Sequence, residues 1–366
     1  MTGRIILLGA TGYTGALVLD AMRRRGLTPL LAGRNASSLT ALARDHGDLQ
    51  YAIVDAGEPD DLRKLLRTGD VLVTTVGPFE RYGHPVARAA ADAGAHYIDS
   101  SGEVGFARAL REAHHEQAQK TGAVMLPAFG YDYVPGILAA TLAARQAGDK
   151  ARSINIGYFA TGPLRKGLSQ GTRITMRDGI TLPSARWKQH RLVDEPTASR
   201  AHTFTVRGRR KSAFLVSGTE VLFLPEAIPH LDDVTVYNGW FPALSRPVAA
   251  LSPLTGLAAR SAAGRRAVNT LTRPFIGKPG GPDAAEREKT RTHVVADACQ
   301  TPGGPSLAEV HLEGPSIYTL TGELMAWAAQ QLTTWNGPSR GVIGPIEAFG
   351  TGPLRQGCAE CGLVPV

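Results

Sequence analysis

The segment Gly9-Ala10-Thr11-Gly12-Tyr13-Thr14-Gly15 follows the apolar run Arg4-Ile5-Ile6-Leu7-Leu8 and opens a stretch carrying Leu17, Leu19, Ala21 and Met22. Glycines in such a turn let a pyrophosphate approach the backbone, and the free N–H groups and positive dipole of a helix start attract its charge. The spacing is G-x-x-G-x-x-G, with Ala10 standing where the plain G-x-G-x-x-G pattern has its first glycine. Gly9, Thr11, Gly12, Tyr13, Thr14 and Gly15 are therefore candidate cofactor-binding residues. A second apolar run ends in Ala32-Gly33-Arg34-Asn35, where a cofactor ribose would lie. No acid is present there to bond a 2′-hydroxyl, whereas the planar guanidinium of Arg34 can pair with a 2′-phosphate, so Gly33 and Arg34 favour NADPH over NADH.

Three further segments end apolar runs. Asp55 follows the third and could accept from an adenine amino group or cap the next helix. Thr75-Val76-Gly77-Pro78-Phe79 ends the fourth, and Asp99-Ser100-Ser101-Gly102-Glu103 the fifth. Ligands of open parallel sheets bind at the carboxyl ends of strands, which places Val76, Gly77, Pro78, Phe79, Ser100 and Gly102 along the nicotinamide side. Glu103 reads alternatively as a helix-start residue stabilised by the dipole. After the sixth run comes Phe129-Gly130-Tyr131-Asp132-Tyr133-Val134-Pro135-Gly136. Tyr131, Asp132 and Tyr133 could donate a proton or orient a carbonyl during hydride transfer; equally, Asp132 could cap the helix entered through Pro135 while the phenols pack.

Weaker signals point to structure. His114-His115 lacks a third ligand at metal spacing and reads as solvated. Cys358-x-x-Cys361 stands alone, which is thin support for zinc or redox chemistry, so no metal site is expected. Arg207-Gly208-Arg209-Arg210-Lys211 has no interleaved aromatics and reads as a hairpin tip, not a nucleic-acid platform.

The elements that must position these residues alternate short apolar runs with helical patterns. Strands are expected at Arg4 to Leu8, Pro29 to Ala32, Gln50 to Val54, Val71 to Val76, His96 to Ile98 and Ala123 to Leu126. Helices fit between them near Ser37 to Asp45, Pro59 to Arg67, Pro85 to Ala93 and Val104 to Thr121. That rhythm predicts an α/β fold, an N-terminal Rossmann doubly wound parallel sheet. Beyond Gly130 the pattern turns β-rich, at Ser153 to Ala160, Thr203 to Val206, Ala213 to Val216, Val221 to Leu224 and Val234 to Tyr237. Thr290 to Ala298 and Ser306 to Leu312 read as an antiparallel pair around Thr301-Pro302-Gly303-Gly304, and Ile317 to Thr334 as a helix. A second, mixed α+β domain follows. The expected division is residues 1–130, 131–335 and a C-terminal segment 336–366 that packs back on the first domain; Pro274 to Pro282 reads as a loop.

With 366 residues, 43% hydrophobic and 20% charged, the chain is globular, with length for two domains. The longest apolar candidate, Val248 to Ala259, is broken by Ser252 and Pro253, so no membrane span is expected. The opening residues lead directly into a strand with no leader-like pattern, and three cysteines make no disulfide scaffold; a cytoplasmic location is expected. The formal charge of +8 is uneven: Arg152 to Arg291 holds 22 basic and 10 acidic residues. Such a surface can attract an acidic protein, a phosphorylated ligand or anionic headgroups.

In combination, the Gly9–Gly15 turn, Ala32-Gly33-Arg34, Val76-Gly77-Pro78-Phe79, Tyr97-Ile98-Asp99 with Gly102-Glu103, and Gly130-Tyr131-Asp132-Tyr133-Val134-Pro135 resemble the saccharopine dehydrogenase-like oxidoreductases. Glu313-Gly314, Tyr318-x-x-Thr321 and Gly341-Val342-Ile343-Gly344-Pro345 with Gly350 resemble the closing motifs of the branch that includes the trans-acting enoyl reductases, while Thr161 to Lys289 offers almost no anchor. The resemblance implies an NADP(H)-binding Rossmann domain, a substrate-carrying mixed domain and a C-terminal segment packed on the first. The family reduces C=N bonds in amino-acid metabolism and C=C bonds of carrier-bound intermediates. Together with the basic middle, this leads to an expected NADPH-dependent enoyl reductase acting on a substrate held as a thioester on a phosphopantetheine arm, coenzyme A or an acidic carrier protein. The rivals are imine or opine-type C=N chemistry, for which Arg165, Lys166 and Arg173 could hold carboxylates, and a non-catalytic nucleotide-binding or membrane-associated accessory protein. No nucleic-acid partner is expected; homo-oligomerisation is compatible with the sequence.

Overall fold

The computed structural model describes residues 3–162, 168–179, 182–259, 261–264, 266, 270 and 280–366. In chain order the first half runs β1 (Ile5–Leu8), α1 (Tyr13–Arg24), β2 (Leu30–Gly33), α2 (Ala36–Asp45), β3 (Tyr51–Ile53), α3 (Pro59–Leu65), β4 (Val71–Thr74), α4 (Phe79–Ala93), β5 (His96–Asp99), α5 (Val104–Thr121), β6 (Val124–Leu126) and α6 (Val134–Ala147). There follow β7 (Ser153–Thr161), α7 (Gln170–Gly179), β8 (Pro183–Lys188), β9 (Arg191–Pro196), β10 (Ala201–Val206), β11 (Arg209–Val216), α8 (Glu220–Ala227), β12 (Asp233–Asn238) and α9 (Pro242–Ala259). The chain closes with α10 (Ala284–Glu288), β13 (Arg291–Cys299), β14 (Ser306–Gly314), α11 (Ile317–Leu332), β15 (Gly341–Val342), α12 (Pro345–Phe349), α13 (Thr351–Glu360) and β16 (Val364–Pro365).

The chain divides into two compact units, Met1–Val134 with Tyr318–Cys361, and Pro135–Ile317 with Gly362–Val366. The first is built on an all-parallel seven-stranded sheet of order β15-β6-β5-β4-β1-β2-β3. Its central strands, Ile-Ile-Leu-Leu in β1 and Val-Leu-Val-Thr in β4, are buried along their whole length, as a sheet covered on both faces requires. The doubly wound α/β fold is thus as the alternation predicts. The seventh strand comes from the C-terminal region: Gly341 N donates to Ala123 O and Ile343 N to Met125 O. Behind it, Trp327 of α11 meets Phe129 at 6.4 Å and Phe349 at 4.9 Å between ring centroids. A Cβ on Gly322 would come within 2.9 Å of Leu17 O, so glycine lets α11 lie tight on α1.

The second unit is a mixed sheet of order β10-β11-β12-β7-β13-β14-β16, to which the β8–β9 hairpin adds through β12. Among the described residues only the β7–β12 pairing of this sheet is parallel. Phe159, Phe204, Val206, Ala213, Tyr237 and Val295 form a buried cluster on one face. On helix α6, Gly136 N donates to Tyr158 Oη at 3.1 Å, and the same hydroxyl donates to the buried Glu220 carboxylate at 2.6 Å.

Several elements differ from the sequence reading. Val221 to Leu224, expected as strand, lies in α8, because a short apolar run fits a buried helix equally well. Helix α4 begins at Phe79, and Pro85 lies inside it. The Phe79 ring packs on Phe106, and the Glu103 carboxylate accepts from Glu80 N, so long-range contacts start the helix before its proline. The residues after Gly337, which show no period, form β15, α12 and α13. Helix α11 groups from Tyr318 with the first unit, where the sequence division had put residues up to 335 in the second. The loop expected at Pro274 to Pro282 falls largely outside the described residues, as do Arg165 and Lys166.

Candidate functional site

The glycine turn leaves β1 at the carboxyl edge of the parallel sheet. Gly9 has φ +86°, in the left-handed region, and an added Cβ would lie 2.8 Å from Val76 Cγ2 and 2.9 Å from Thr75 Oγ1. Gly15 is the tightest position: a Cβ there would fall 2.1 Å from Gly9 O, so its role is to seat α1 against the turn. Gly12 is the N-cap of α1; Thr11 and Gly12 are exposed, and Tyr13 and Thr14 half-buried. The cap supplies no side-chain hydrogen bond and the first turn has no acid, which leaves the N–H groups at this helix start open to an anion. Tyr13 packs edge-on against Tyr318 at 5.2 Å.

Gly33 ends β2 and Arg34 follows it, exposed, with no ion pair to any described residue. Asn35 turns its side chain into α2, accepting from Ser38 N at 3.0 Å. Asp55 sits beyond β3 in a local turn, its Oδ1 accepting from Gly57 N at 2.9 Å; the cap of α3 is Glu58, not Asp55. Past β4, Val76 is half-buried and Gly77 and Pro78 are exposed, joined by a cis peptide, while the Phe79 ring is buried. Phe79 thus contributes backbone to this edge and its side chain to the core.

Asp99, ending β5, is fully buried and ties two strand-end loops together. Its Oδ1 accepts from Ser101 N and from Ala128 N, each at 2.8 Å, and its carbonyl oxygen accepts from Phe129 N at 2.7 Å. Burial raises its carboxyl pKa, opposed by the hydrogen bonds it accepts. Ser100 is half-buried and Gly102 exposed. Glu103 is the N-cap of α5, yet its carboxylate reaches across to Glu80 N at the start of α4, at 2.9 Å. The dipole role foreseen for it is exercised on the neighbouring helix. Loss of water raises the Glu103 pKa, and the N–H groups of Glu80 and Phe79 act against that rise.

Of the three residues singled out after β6, the phenols of Tyr131 and Tyr133 are buried. Tyr131 N donates to Thr321 Oγ1 at 3.1 Å, which fixes the loop to α11, and a Cβ on Gly130 would press to 3.0 Å on the Thr321 methyl. Only the Asp132 side chain reaches solvent. Protein packed around it still removes enough water to push its carboxyl up to about 6. A Cβ on Gly102 would stand 3.6 Å from Asp132 Oδ2, so the β5 and β6 loops meet at this carboxyl. A solvent-reaching acid that titrates near pH 6 is able to exchange a proton with a ligand, and the strand-end position is the part of this that sequence foresaw.

The remaining candidates are structural. His115 is half-buried, its Nδ1 at 3.2 Å from Val342 O, so strand β15 covers a residue expected in solvent. Among the described residues no group of histidine, cysteine or carboxylate side chains could hold a metal. Cys358 and Cys361 are free, buried thiols; burial pushes Cys361 up to about 12 and Cys358 higher, which removes thiolate chemistry. Arg207 lies at the hairpin tip and forms a two-pronged pair with Glu313 of β14. Sequence reading missed that pair, because nothing local links residues so far apart. No described helix is long and apolar enough to cross a membrane.

Residues 5–126 match the saccharopine dehydrogenase NADP binding domain. A Mycobacterium tuberculosis protein provisionally named a trans-acting enoyl reductase is 27% identical, with 96% of this chain and 94% of that protein covered. A trans-acting enoyl reductase of Mycobacterium ulcerans is 32% identical over 52% of this chain and 48% of its own length. Among solved structures, the saccharopine dehydrogenase (L-Glu forming) of Saccharomyces cerevisiae superposes with a TM-score of 0.62 at 14% identity, covering 100% of this chain and 99% of that one, which is a likeness of fold.

Proposed function

We propose that this chain is a saccharopine dehydrogenase-like oxidoreductase that uses NADPH to reduce the C=C bond of an enoyl thioester, presented on coenzyme A or an acyl carrier protein; the match of residues 5–126 to the NADP binding domain supports the cofactor class. The observation that supports the choice of bond is the likeness, along nearly the whole chain, to a protein provisionally named a trans-acting enoyl reductase, since the fold by itself is compatible with several chemistries.

The residues at the strand ends fit the cofactor. The exposed Gly12, where a Cβ would stand 3.3 Å from Gly9 O, leaves backbone bare at a helix start without cap or acid, suited to a pyrophosphate. Arg34, exposed and unpaired among the described residues, would hold the 2′-phosphate, and the absence of an acid at the end of β2 disfavours a bare ribose. Asp55 would border the adenine, and the backbone of Val76 to Pro78 and of Ser100 to Gly102 the nicotinamide. When bound, NADPH supplies the hydride. Asp132 then has the role of proton donor: its carboxyl carries a proton below about pH 6 and delivers it from the strand-end loop to the carbon next to the thioester. Tyr131 and Tyr133, with buried rings, support this loop. The basic region from Arg152 to Arg291 suits an acidic carrier or a phosphorylated arm.

Reduction with NADPH deuterated at the transferable position tests the reaction. Mass analysis should find the label on the β-carbon of a saturated thioester. Label appearing instead on the carbon of a newly formed secondary amine, from a keto acid and an amino acid, would replace this reading with C=N chemistry. Arg173, half-buried in α7, is the described residue of the cationic set that chemistry would use.

A further inference from the structure

Helix α9 wears its side chains in an unusual order. The positions buried against the sheet are serines: Ser245 Oγ donates to Ser212 O at 2.9 Å, and Ser252 Oγ to Thr197 O at 2.9 Å. Apart from Arg246, the exposed positions through Pro253 are apolar. Leu244, Val248 and Leu251, spaced four and three apart on one helical face, are 56%, 38% and 55% exposed. Leu182 is a further exposed aliphatic residue, linked to α9 through Thr197. It is 55% exposed, and its carbonyl accepts from the hydroxyl of Thr197, the residue that receives Ser252. A water-facing helix ordinarily turns its aliphatic residues inward, so a stripe of this kind marks a surface with an apolar partner.

Charge identifies the partner's chemistry. No Asp or Glu occurs between Asp233 and Asp283, whereas Arg246, Arg260, Arg265, Arg266, Arg273 and Lys278 do. Of these, Arg246 and Arg266 are exposed among the described residues. Aliphatic residues with the exposed Arg246 among them, in a stretch of chain that carries cations and no acid, match the boundary between acyl chains and anionic headgroups. Protein-binding hot spots draw on Trp, Tyr and buried Arg anchors, which the exposed face of α9 lacks. We infer that the exposed face of α9 docks this protein on an anionic lipid surface as a peripheral attachment. The attachment is independent of the substrate assignment.

Flotation of the full chain with liposomes tests this. Vesicles of phosphatidylcholine containing about one third phosphatidylglycerol should carry the protein upward at low salt; phosphatidylcholine alone should not, and added salt should weaken the association. The triple variant Leu244→Ser, Val248→Ser, Leu251→Ser should lower the partition coefficient about tenfold or more. Its three sites are solvent-facing, so its melting temperature and NADPH affinity should match the parent. Arg246→Gln with Arg266→Gln should remove the preference for phosphatidylglycerol. Failure of the parent to float, or equal flotation of the triple variant, would overturn the inference. So would a parent dimer in sedimentation velocity that the triple variant converts to monomer without change in flotation, because the stripe would then cover a second copy.

Discussion

Removing the Arg34 guanidinium should separate the two nicotinamide cofactors. A charge-assisted two-pronged contact contributes about 1.5–3 kcal/mol, so Arg34→Ala should weaken NADPH binding about tenfold to a hundredfold and leave NADH binding nearly unchanged. Equal losses in fluorescence titrations would take the 2′-phosphate away from Arg34. Asp132 offers a second test, with two readouts. If its protonated form delivers the proton, kcat should fall as pH rises through about 6, and Asp132→Asn should abolish that limb. Its native pKa also lies above the unfolded value of about 3.9, so between about pH 4 and pH 6 the native state holds more protons and loses stability as pH rises. Asp132→Asn should therefore raise the melting temperature at pH 7 and leave it unchanged near pH 3.5. A variant no more stable than the parent at pH 7 would mean that the carboxyl is not held out of water. At this scale the sequence revealed residue types and strand-end positions, but not that Tyr131 and Tyr133 turn inward while Asp132 faces out. The alternation around a loop has no period from which to read orientation.

The elements of the first unit were legible because its central strands, β1 and β4 above all, are covered on both faces and so read as nearly continuous apolar runs. What escaped depended on distant partners. Helix α4 starts at Phe79 because Glu103 and Phe106 await it, and β15 has only Gly341-Val342 to declare it before β6 accepts it as a neighbour. Glu103→Ala should cost about 1 kcal/mol, as loss of a helix-start acceptor does, and Glu103→Gln less. Thermal melts that show no change for Glu103→Ala would deny the contact any weight. Within the glycine turn, two substitutions should differ in kind. Gly15→Ala puts a methyl 2.1 Å from Gly9 O and should prevent α1 from seating, whereas the 3.3 Å approach at Gly12 allows Gly12→Ala to fold while weakening the cofactor. Circular dichroism alongside NADPH titration distinguishes them.

For the molecule as a whole, the C-terminal region belongs to the nucleotide-binding unit. Leu354 and Cys358 are fully buried, Ile343 nearly so, and Phe349 covers Trp327 and Phe129. A chain ending at Gly337 loses the seventh strand and uncovers these rings; it should show no cooperative melt, since large core side chains are each worth several kcal/mol, roughly 3–5 for Phe or Trp. Composition anticipated a basic middle of the chain, but the second unit also contains pairs such as Arg207 with Glu313 and His202 with Asp297, whose partners lie 106 and 95 residues apart. Such separations leave no local trace. The central claim is the proposal that this protein is an NADPH-dependent enoyl reductase, and the direct measurement is absorbance of the reduced nicotinamide with the purified protein. NADPH should be consumed with an enoyl thioester and far more slowly with a keto acid plus amino acid, and NADH should be a poor substitute. NADPH binding with no consumption for either substrate class would contradict the account and leave a nucleotide-binding protein without turnover.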